Sequence, residues 1–259
     1  MTDCSCPSTP QVQQDLIAAV RSVAKKVVLV IVSGSAVPFN ESAADAAVYA
    51  MYGGEEAGNG LADVLFGQVA PSGRLPFTIF TKLEQMRSME DYDLTSQPGR
   101  THLYYDDSSV GKLGSPQWWF GFGMSYSSFR YSNLSLSTAS CRMMVAVTVT
   151  NVGKVAAREV AQLYLGRPKP ATSVPVAAWA LKGYQRTDVL AAAGASVTLH
   201  FEVNARELST VMSDGSRNVP AGVYRVQVGG ANPRDTRAPA TPINGSVRVA
   251  AGCSAYLRP

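Results

Sequence analysis

The sequence predicts an α/β segment followed by an all-β segment. Helical and strand patterns alternate over about the first 80 residues, which is typical of an α/β domain with a mostly parallel sheet. From Cys141 onward, strand patterns recur at intervals of about ten to twenty residues, which is typical of a β-sandwich. The chain of 259 residues is long enough for one large domain or two ordinary ones.

The first predicted elements are a helix over residues 11–25 and a strand over residues 27–33. Leu16, Ile17 and Val20 fall at helical spacing, and the two lysines that follow suit the negative end of a helix. The unbroken β-branched run after them indicates a strand that is buried on both faces, as in a parallel sheet.

Further elements complete the α/β segment. Residues 44–51 are apolar and fit a helix or a strand, whereas residues 55–66 predict a helix that ends near Gly67. Residues 75–80 alternate as a short strand. Residues 81–116 are polar and lack periodicity, so we expect a long connecting loop with short extended pieces.

The all-β segment shows apolar and polar residues in alternation, broken by turns rich in glycine and asparagine. The predicted strands are residues 143–150, 160–165, 178–187, 195–203, 222–228 and 245–249.

Composition excludes several classes of protein. The hydrophobic content of 46% and charged content of 16% indicate a folded globular chain. The net charge of +4 comes from scattered residues, which argues against nucleic acid as a partner. No apolar run approaches the roughly 18 residues that suggest a membrane span. We therefore expect neither nucleic acid nor a membrane as a partner.

The four cysteines leave the disulfide pairing open. Cys4 and Cys6 have the wrong spacing for a metal-binding knuckle, and no histidine is near them. A disulfide between Cys141 and Cys253 is one of the pairings that the sequence allows. No metal pattern, phosphate-binding loop, nucleophile elbow or dinucleotide fingerprint is present, so we expect no metal and no cofactor.

Two features bear on localisation and point in opposite directions. Residues 1–14 are polar and lack the apolar core of a secretory signal. Three Asn-x-Ser sequons, at Asn40, Asn133 and Asn244, would carry glycans in a secreted protein, although so short a motif also arises by chance. A lost upstream segment would reconcile the two.

One stretch carries a strong resemblance to a known family. Residues 52–78, YGGEEAGNGLADVLFGQVAPSGRLPFT, are similar to the signature of glycoside hydrolase family 3, as are residues 98–105, PGRTHLYY, and residues 120–129, FGFGMSYSSF. The family usually has proline at Gly53, asparagine at Ala70 and often histidine at Phe122, so we assign no role to position 122. Residues 149–165, 181–203 and 222–230 resemble the fibronectin type III-like domain that ends many family members.

The resemblances together imply a fold and a domain organisation. Residues 1–80 would be the C-terminal half of the family's α/β sandwich domain, residues 81–135 a linker and domain junction, and residues 136–253 an immunoglobulin-like or fibronectin III-like β-sandwich. The fold class is thus α/β plus all-β, with the α/β sandwich only partly present.

The resemblance also implies a chemistry that this chain does not contain. Retaining glycosidases use two carboxyl groups roughly 5–5.5 Å apart. The family places its aspartate nucleophile in an N-terminal barrel, which takes about 250 residues, and its acid/base glutamate upstream of the helix over residues 11–25. We therefore assign no catalytic residue, leave the substrate-binding residues unassigned, and expect the chain to be catalytically incomplete.

Local carboxylates have plainer interpretations beside the functional one. Glu55 and Glu56 suit a helix N-terminus or border a sugar site. The acidic cluster at residues 90–93 reads as a solvated loop, Asp63 as a helix residue in a cap or salt bridge, and residues 106–107 as a structural turn.

Arg100 and His102 lie in the segment that resembles PGRTYRFY, and Trp118 and Trp119 directly precede the segment that begins at Phe120. Arginine forks onto carboxylates or sugar hydroxyls, and aromatic rings stack on sugars, but packing at a domain junction is the alternative for all four. His200 falls in a strand pattern and suits a half-exposed strand residue rather than a ligand.

Two functional hypotheses follow. The first is the C-terminal portion of a retaining, exo-acting β-glycosidase that hydrolyses terminal β-linked sugars in carbohydrate and xylan breakdown, β-xylosidase-like rather than β-glucosidase-like. Its partners would be a β-linked oligosaccharide and the missing N-terminal barrel, and the complete enzyme would be extracellular, cell-wall or secretory. The second is a non-catalytic carbohydrate-binding or protein-interaction module. The sequence does not fix the sugar, the linkage or the oligomeric state.

Overall fold

The described part of the α/β segment contains two α-helices, a short 3-10 helix at Glu41–Ala43 and a two-stranded parallel sheet. In the computed structural model, which describes residues 9–88, 90–168 and 174–253, the elements are α1 Gln11–Val23, β1 Val28–Ile31, β2 Ala46–Tyr49 and α2 Ala57–Leu65. Both predicted helices and the first strand are confirmed with slightly shorter bounds, and the ambiguous residues 44–51 contain a strand. Cys4, Cys6 and the start of the polar N-terminal segment lie outside the described residues.

The expectation that β1 is buried on both faces is wrong for this chain. No β1 residue is fully buried, and Val28 is 50% exposed. The physical reason is that β1 pairs with β2 alone among the described strands, whereas a parallel sheet normally has further strands and helices on both faces. β1 therefore has the apolar sequence of a buried strand but lies partly exposed among the described elements.

Residues 75–80 and 81–116 also differ from expectation. Residues 75–80 form no regular strand, because Ile79 makes only an isolated bridge, with Trp118. The predicted loop contains short helices: a 3-10 helix Leu83–Gln85, α3 Thr101–Tyr104 and α4 Asp107–Leu113.

A buried amide explains the order in this segment. The Gln85 side chain is 1% exposed, its Nε2 donates to the carbonyls of Gly114 at 3.0 Å and Ser115 at 3.1 Å, and its Oε1 accepts from the Thr81 amide at 3.0 Å. One side chain thus satisfies backbone groups that a periodic element would otherwise pair.

The all-β segment is a sandwich of two antiparallel sheets. Its elements are β3 Phe129–Ala139, β4 Arg142–Asn151, β5 Val160–Gly166, β6 Ala180–Arg186, β7 Ser196–Val203, α5 Ala205–Leu208, β8 Thr210–Val211, β9 Arg217–Asn218, β10 Gly222–Gly229 and β11 Ile243–Val249. One sheet has the order β3-β4-β7 and the other the order β11-β10-β5-β6, with a small β8-β9 hairpin and the short helix α5 beside them. All six predicted strands are confirmed.

The sequence analysis missed β3, since it placed the first strand after Cys141. β3 is rich in serine and carries a register shift between Ser132 and Ser135 in its pairing with β4, so its apolar alternation is broken. β3 begins at Phe129 and pairs with β4 along its length. The proposed domain boundaries stay a prediction.

The core lies between the two sheets. The inward residues of β4, Val145, Val147 and Val149, are at most 1% exposed, as the alternating pattern predicted. A disulfide joins Cys141, in the turn between β3 and β4, to Cys253, which follows β11. The structure thus selects one of the pairings that the sequence allowed.

Candidate functional site

An apolar cleft of about 550 Å³ opens between β2 and the segment that follows α2. Its walls come from the carboxyl end of β2, the turn at residues 71–76, and the aromatic residues Trp118 and Phe122. The Trp118 and Phe122 ring centroids lie 4.3 Å apart, and the Arg237 guanidinium carbon lies 3.9 Å from the centroid of a Trp118 ring. The cleft therefore presents aromatic surface at the strand end where α/β sheets bind ligands, and Arg237 packs on one of its aromatic wall residues.

Glycines in the FGFG segment allow one wall of the cleft to form. The Leu75 amide donates to the Phe122 carbonyl and the Gly121 amide donates to the Leu75 carbonyl, both at 2.8 Å. Gly121 has φ +84°, and a Cβ added at Gly123 would lie 2.2 Å from the Gly73 carbonyl oxygen. These two positions therefore require glycine for backbone conformation and for close approach.

Two carboxylates line the cleft, and each has its own partners. Asp45 accepts from the Val27 amide and from Lys26, both at 2.9 Å, and these hydrogen bonds hold the pKa of its carboxyl well below the usual range. Glu41 forms an ion pair with Arg237 at 3.4 Å. Because Asp45 stays ionised, it is unsuited to the proton-donor role that glycoside hydrolysis requires.

The acidic residues of the glycine loop and of α2 point away from this cleft. Glu55, Glu56 and Asp63 are exposed, and none of them lines the cleft. Glu56 directly precedes α2 and accepts a hydrogen bond from Asn59, a position at which a negative charge favours the helix.

The acidic cluster at residues 90–93 makes its interactions within its own loop. Asp93 accepts from the Ser96 hydroxyl and from the Thr95 amide at 2.8 Å, and these bonds lower the pKa of its carboxyl. Asp91 forms an ion pair with Arg87. These interactions are local and bring no carboxylate into the cleft.

The remaining acidic candidates lie at a helix start. The Asp106 side chain accepts from the Ser109 amide at 3.1 Å and so caps α4, whose first residue is Asp107.

The predicted residues of the PGRT segment lie at the junction with the sandwich. Arg100 donates to the Ser88 carbonyl, and its buried Nε has no hydrogen-bond partner. The His102 ring stacks on Phe120 with centroids 3.9 Å apart. Burial, with the nearby positive charge of Arg234, lowers the pKa of His102 to about 4.

The remaining residues that the sequence singled out lie in different parts of the structure. Trp119 is 3% exposed and packs beside Tyr105, whereas Trp118 borders the cleft. His200 is exposed on β7, in the sandwich. Within residues 9–88, 90–168 and 174–253, no group of three or more His, Cys, Asp or Glu side chains is placed to hold a metal ion. The same part of the chain has no helix of the length and apolarity needed to span a bilayer.

The sequence analysis missed the most buried ion pair. Arg74 Nη2 lies 2.6 Å from Glu159 Oε1, with side-chain exposures of 9% and 3%. The Tyr131 hydroxyl donates to the same oxygen at 3.1 Å, and Arg74 Nε donates to the Gly230 carbonyl at 2.8 Å. Burial raises the pKa of Glu159, and Arg74 opposes that shift. The available signal was an arginine inside the PSGRLP motif and a glutamate beside a buried strand.

Comparisons with known proteins cover both segments. Residues 2–126 match the family model of the glycosyl hydrolase family 3 C-terminal domain, and residues 159–232 match that of the fibronectin type III-like domain. The fold class expected from the sequence is confirmed.

Similar proteins carry two kinds of glycosidase name. A probable beta-glucosidase L of Aspergillus terreus is 34% identical in an alignment over 256 residues that covers 86% of this chain and 33% of that protein. A xylan 1,4-beta-xylosidase of Xylanibacter ruminicola is 33% identical over 225 residues, covering 85% of this chain and 24% of that protein. The structure of beta-glucosidase 3B from Thermotoga neapolitana with alpha-D-glucose matches with a TM-score of 0.78 and 27% identity, over 94% of this chain and 34% of that one. The chain thus spans about a quarter to about a third of the length of these relatives.

Proposed function

Because the chain belongs to glycoside hydrolase family 3, as its C-terminal region with the fibronectin type III-like domain, we propose that it serves a retaining, exo-acting β-glycosidase. The complete enzyme would hydrolyse terminal β-linked sugars of oligosaccharides. The two catalytic carboxyl groups would come from elsewhere in that enzyme, since the cleft carboxylates of this chain are committed to ion pairs.

One observation carries this proposal: the α/β segment exposes the apolar surface of an incomplete domain. Val28 of β1 is 50% exposed, Leu16 of α1 is 64% exposed and Phe66, just after α2, is 81% exposed. No residue of either helix is fully buried. Strands and helices with such sequences normally lie inside an α/β domain. The occupant of this surface would be the remainder of the α/β domain, with the catalytic barrel beyond it.

The finer substrate preference is a second part of the proposal. The PGRT–YY segment, residues 98–105, resembles the β-xylosidase branch more than the β-glucosidase branch. The names of similar proteins include both activities, with beta-glucosidase the more frequent. On the resemblance of residues 98–105, we propose a preference for β-xylosides in xylan breakdown. Hydrolysis of β-xylosides is to be measured directly against that of β-glucosides.

An extracellular or cell-wall location of the complete enzyme fits two features. The disulfide between Cys141 and Cys253 is of a kind that persists in oxidising compartments. The asparagines of the three sequons, Asn40, Asn133 and Asn244, are exposed and so accessible to a glycosyltransferase.

The test compares the chain alone with the chain supplied with an N-terminal part. We expect the purified chain to give no turnover of aryl β-xyloside or aryl β-glucoside. Co-expression with the barrel and first half-domain of a family 3 enzyme should restore hydrolysis with retention at the anomeric carbon, and the ratio of kcat/KM values for the two substrates gives the preference. Robust turnover by the chain alone would refute the proposal. A stable monomer that binds sugars and gains nothing from the N-terminal part would favour the interaction module.

A further inference from the structure

A second cleft, of about 680 Å³, lies between the junction segment and the β-sandwich. One side is formed by residues 102–104 and Phe120, and the other by β6, β8 and the residues around them. Four cationic side chains line it: Arg167, Lys182, Arg206 and Arg217.

The charge of this cleft is unbalanced. Among the described residues that line it, none is an aspartate or glutamate. None of the four cations forms a salt bridge with a described residue. Glu207 is close enough to influence Lys182, but its carboxylate accepts from the Asn204 amide at 2.8 Å and so caps α5.

Unsatisfied donors face the same space. Thr210 is 6% exposed and lines the cleft, and its Oγ1 has no hydrogen-bond partner. Arg167 donates through Nη2 to the Glu207 carbonyl at 3.0 Å, while its buried Nε has no partner. Buried donors without partners are rare in folded proteins, and a bound ion or an ordered water is a usual explanation.

The electrostatics of the cations agree with this geometry. Burial, together with the neighbouring positive charge of Arg167, lowers the pKa of Lys182 to about 8. Burial also lowers the pKa of Arg167. Both shifts show that the cleft holds positive charge at a cost, which a bound anion would remove.

We propose that this cleft binds the oxyanion group of a small ligand, a carboxylate as in a uronic acid or a phosphate. The guanidinium groups of Arg167 and Arg217 match carboxylate and phosphate oxygens, and the Thr210 hydroxyl adds a neutral donor. The wall formed by Tyr104 and the stacked His102–Phe120 pair offers a flat apolar surface suited to the face of a sugar ring. Anion binding by this cleft does not depend on the proposed glycosidase function.

The experiment measures binding to the full 259-residue chain at constant ionic strength. Calorimetric titrations use D-glucuronate, inorganic phosphate and, as the uncharged match, D-glucose. We expect saturable binding of one or both anions and none of glucose at the same concentrations. Tighter binding of glucuronate would identify a sugar acid as the source of the oxyanion, and tighter binding of phosphate would identify a phosphate group.

Variants tie the binding to this cleft. Lys182→Gln should weaken anion binding by about tenfold, the equivalent of one charge-assisted hydrogen bond. Thr210→Val should weaken it by about threefold to tenfold. The matched control Arg142→Gln removes an exposed cation of β4 that pairs with Glu202 and should change nothing. Thermal unfolding checks that each variant folds, and the anion should raise the Tm of the wild type more than that of Lys182→Gln. Absence of saturable binding by both anions, or equal binding by all four proteins, would overturn the proposal.

Discussion

Replacing Arg74 with methionine should destabilise the chain strongly, because it leaves the buried carboxylate of Glu159 without its cationic partner. The substitution removes the ion pair at 2.6 Å and the hydrogen bond to the Gly230 carbonyl, and it leaves a carboxyl group that is 3% exposed. Removing one partner of a buried pair costs about 3–5 kcal/mol. A Coulomb energy of about 4 kcal/mol at 4 Å and an effective dielectric constant of about 20 gives the same size. We expect a loss of about 3–5 kcal/mol in the free energy of unfolding.

The pH dependence distinguishes this cause from lost packing. Burial already raises the pKa of Glu159, and without Arg74 it rises further. A carboxyl with a raised folded-state pKa costs stability above that pKa, so the deficit of the variant should shrink as pH falls from about 8 to about 5.

Urea unfolding at several pH values, followed by tryptophan fluorescence, measures this deficit. The control is Arg142→Met, which breaks an exposed pair with Glu202 and should cost no more than about 1 kcal/mol. The double variant Arg74→Met/Glu159→Leu should regain much of the loss, since it removes the stranded charge. A deficit below about 1 kcal/mol, or one that does not change with pH, would refute the reasoning.

Three further predictions concern other parts of the chain. The disulfide between Cys141 and Cys253 joins residues 112 positions apart. Breaking it should lower the free energy of unfolding by about 2–4 kcal/mol. Urea unfolding of Cys141→Ser measures this loss, and unchanged stability would contradict the prediction. Gly121→Ala should cost about 1–3 kcal/mol, because φ is +84° and the added carbon would lie 2.3 Å from a side-chain amide oxygen. Gly215→Ala, at φ +81° with nothing within 4 Å, isolates the backbone part of that cost in parallel melts. The pKa of His102 is lowered from 6.5 to about 4, so between these pH values the unfolded chain binds one proton more than the folded chain. The free energy of unfolding should therefore fall by about 1–2 kcal/mol, after allowance for solvent screening, as pH drops through this window. His102→Gln should flatten that part of the profile of Tm against pH, and an identical profile would count against the assignment.

The elements that the sequence predicted well are those whose pattern is set by burial on the chain's own core. The strands β4 and β7 alternate because one face of each meets the opposite sheet, and both were predicted within two residues. β3 was missed because its outward face is serine-rich and its register shifts. The helices of residues 81–116 were missed because they are short and show no helical periodicity, and because side-chain contacts such as those of Gln85 and Asp106 help to order them.

The site was less accessible to sequence reasoning than the fold. Glu55 and the acidic cluster at residues 90–93 are candidate functional carboxylates by residue type alone. The side chains around them in the folded chain determine their role. The partners of the functional groups lie far along the chain: Arg74 meets Glu159 85 residues away, and Thr210 lies beside cations from β6 and β9. Charge and burial at these positions become informative only when the two segments are packed together.

Buried contacts at the junction between the two segments fix the α/β segment on the β-sandwich. Arg74 connects the PSGRLP turn to Glu159 and to the Gly230 carbonyl, and Gln162 Nε2 donates from β5 to the Gly121 carbonyl at 2.9 Å. These buried contacts hold two walls of the apolar cleft on the sandwich within this chain. A surface that is already ordered loses less conformational entropy on association. If the chain is completed by a partner, Arg74→Met should therefore weaken that association as well as the fold, whereas the distant control Arg142→Met should affect neither.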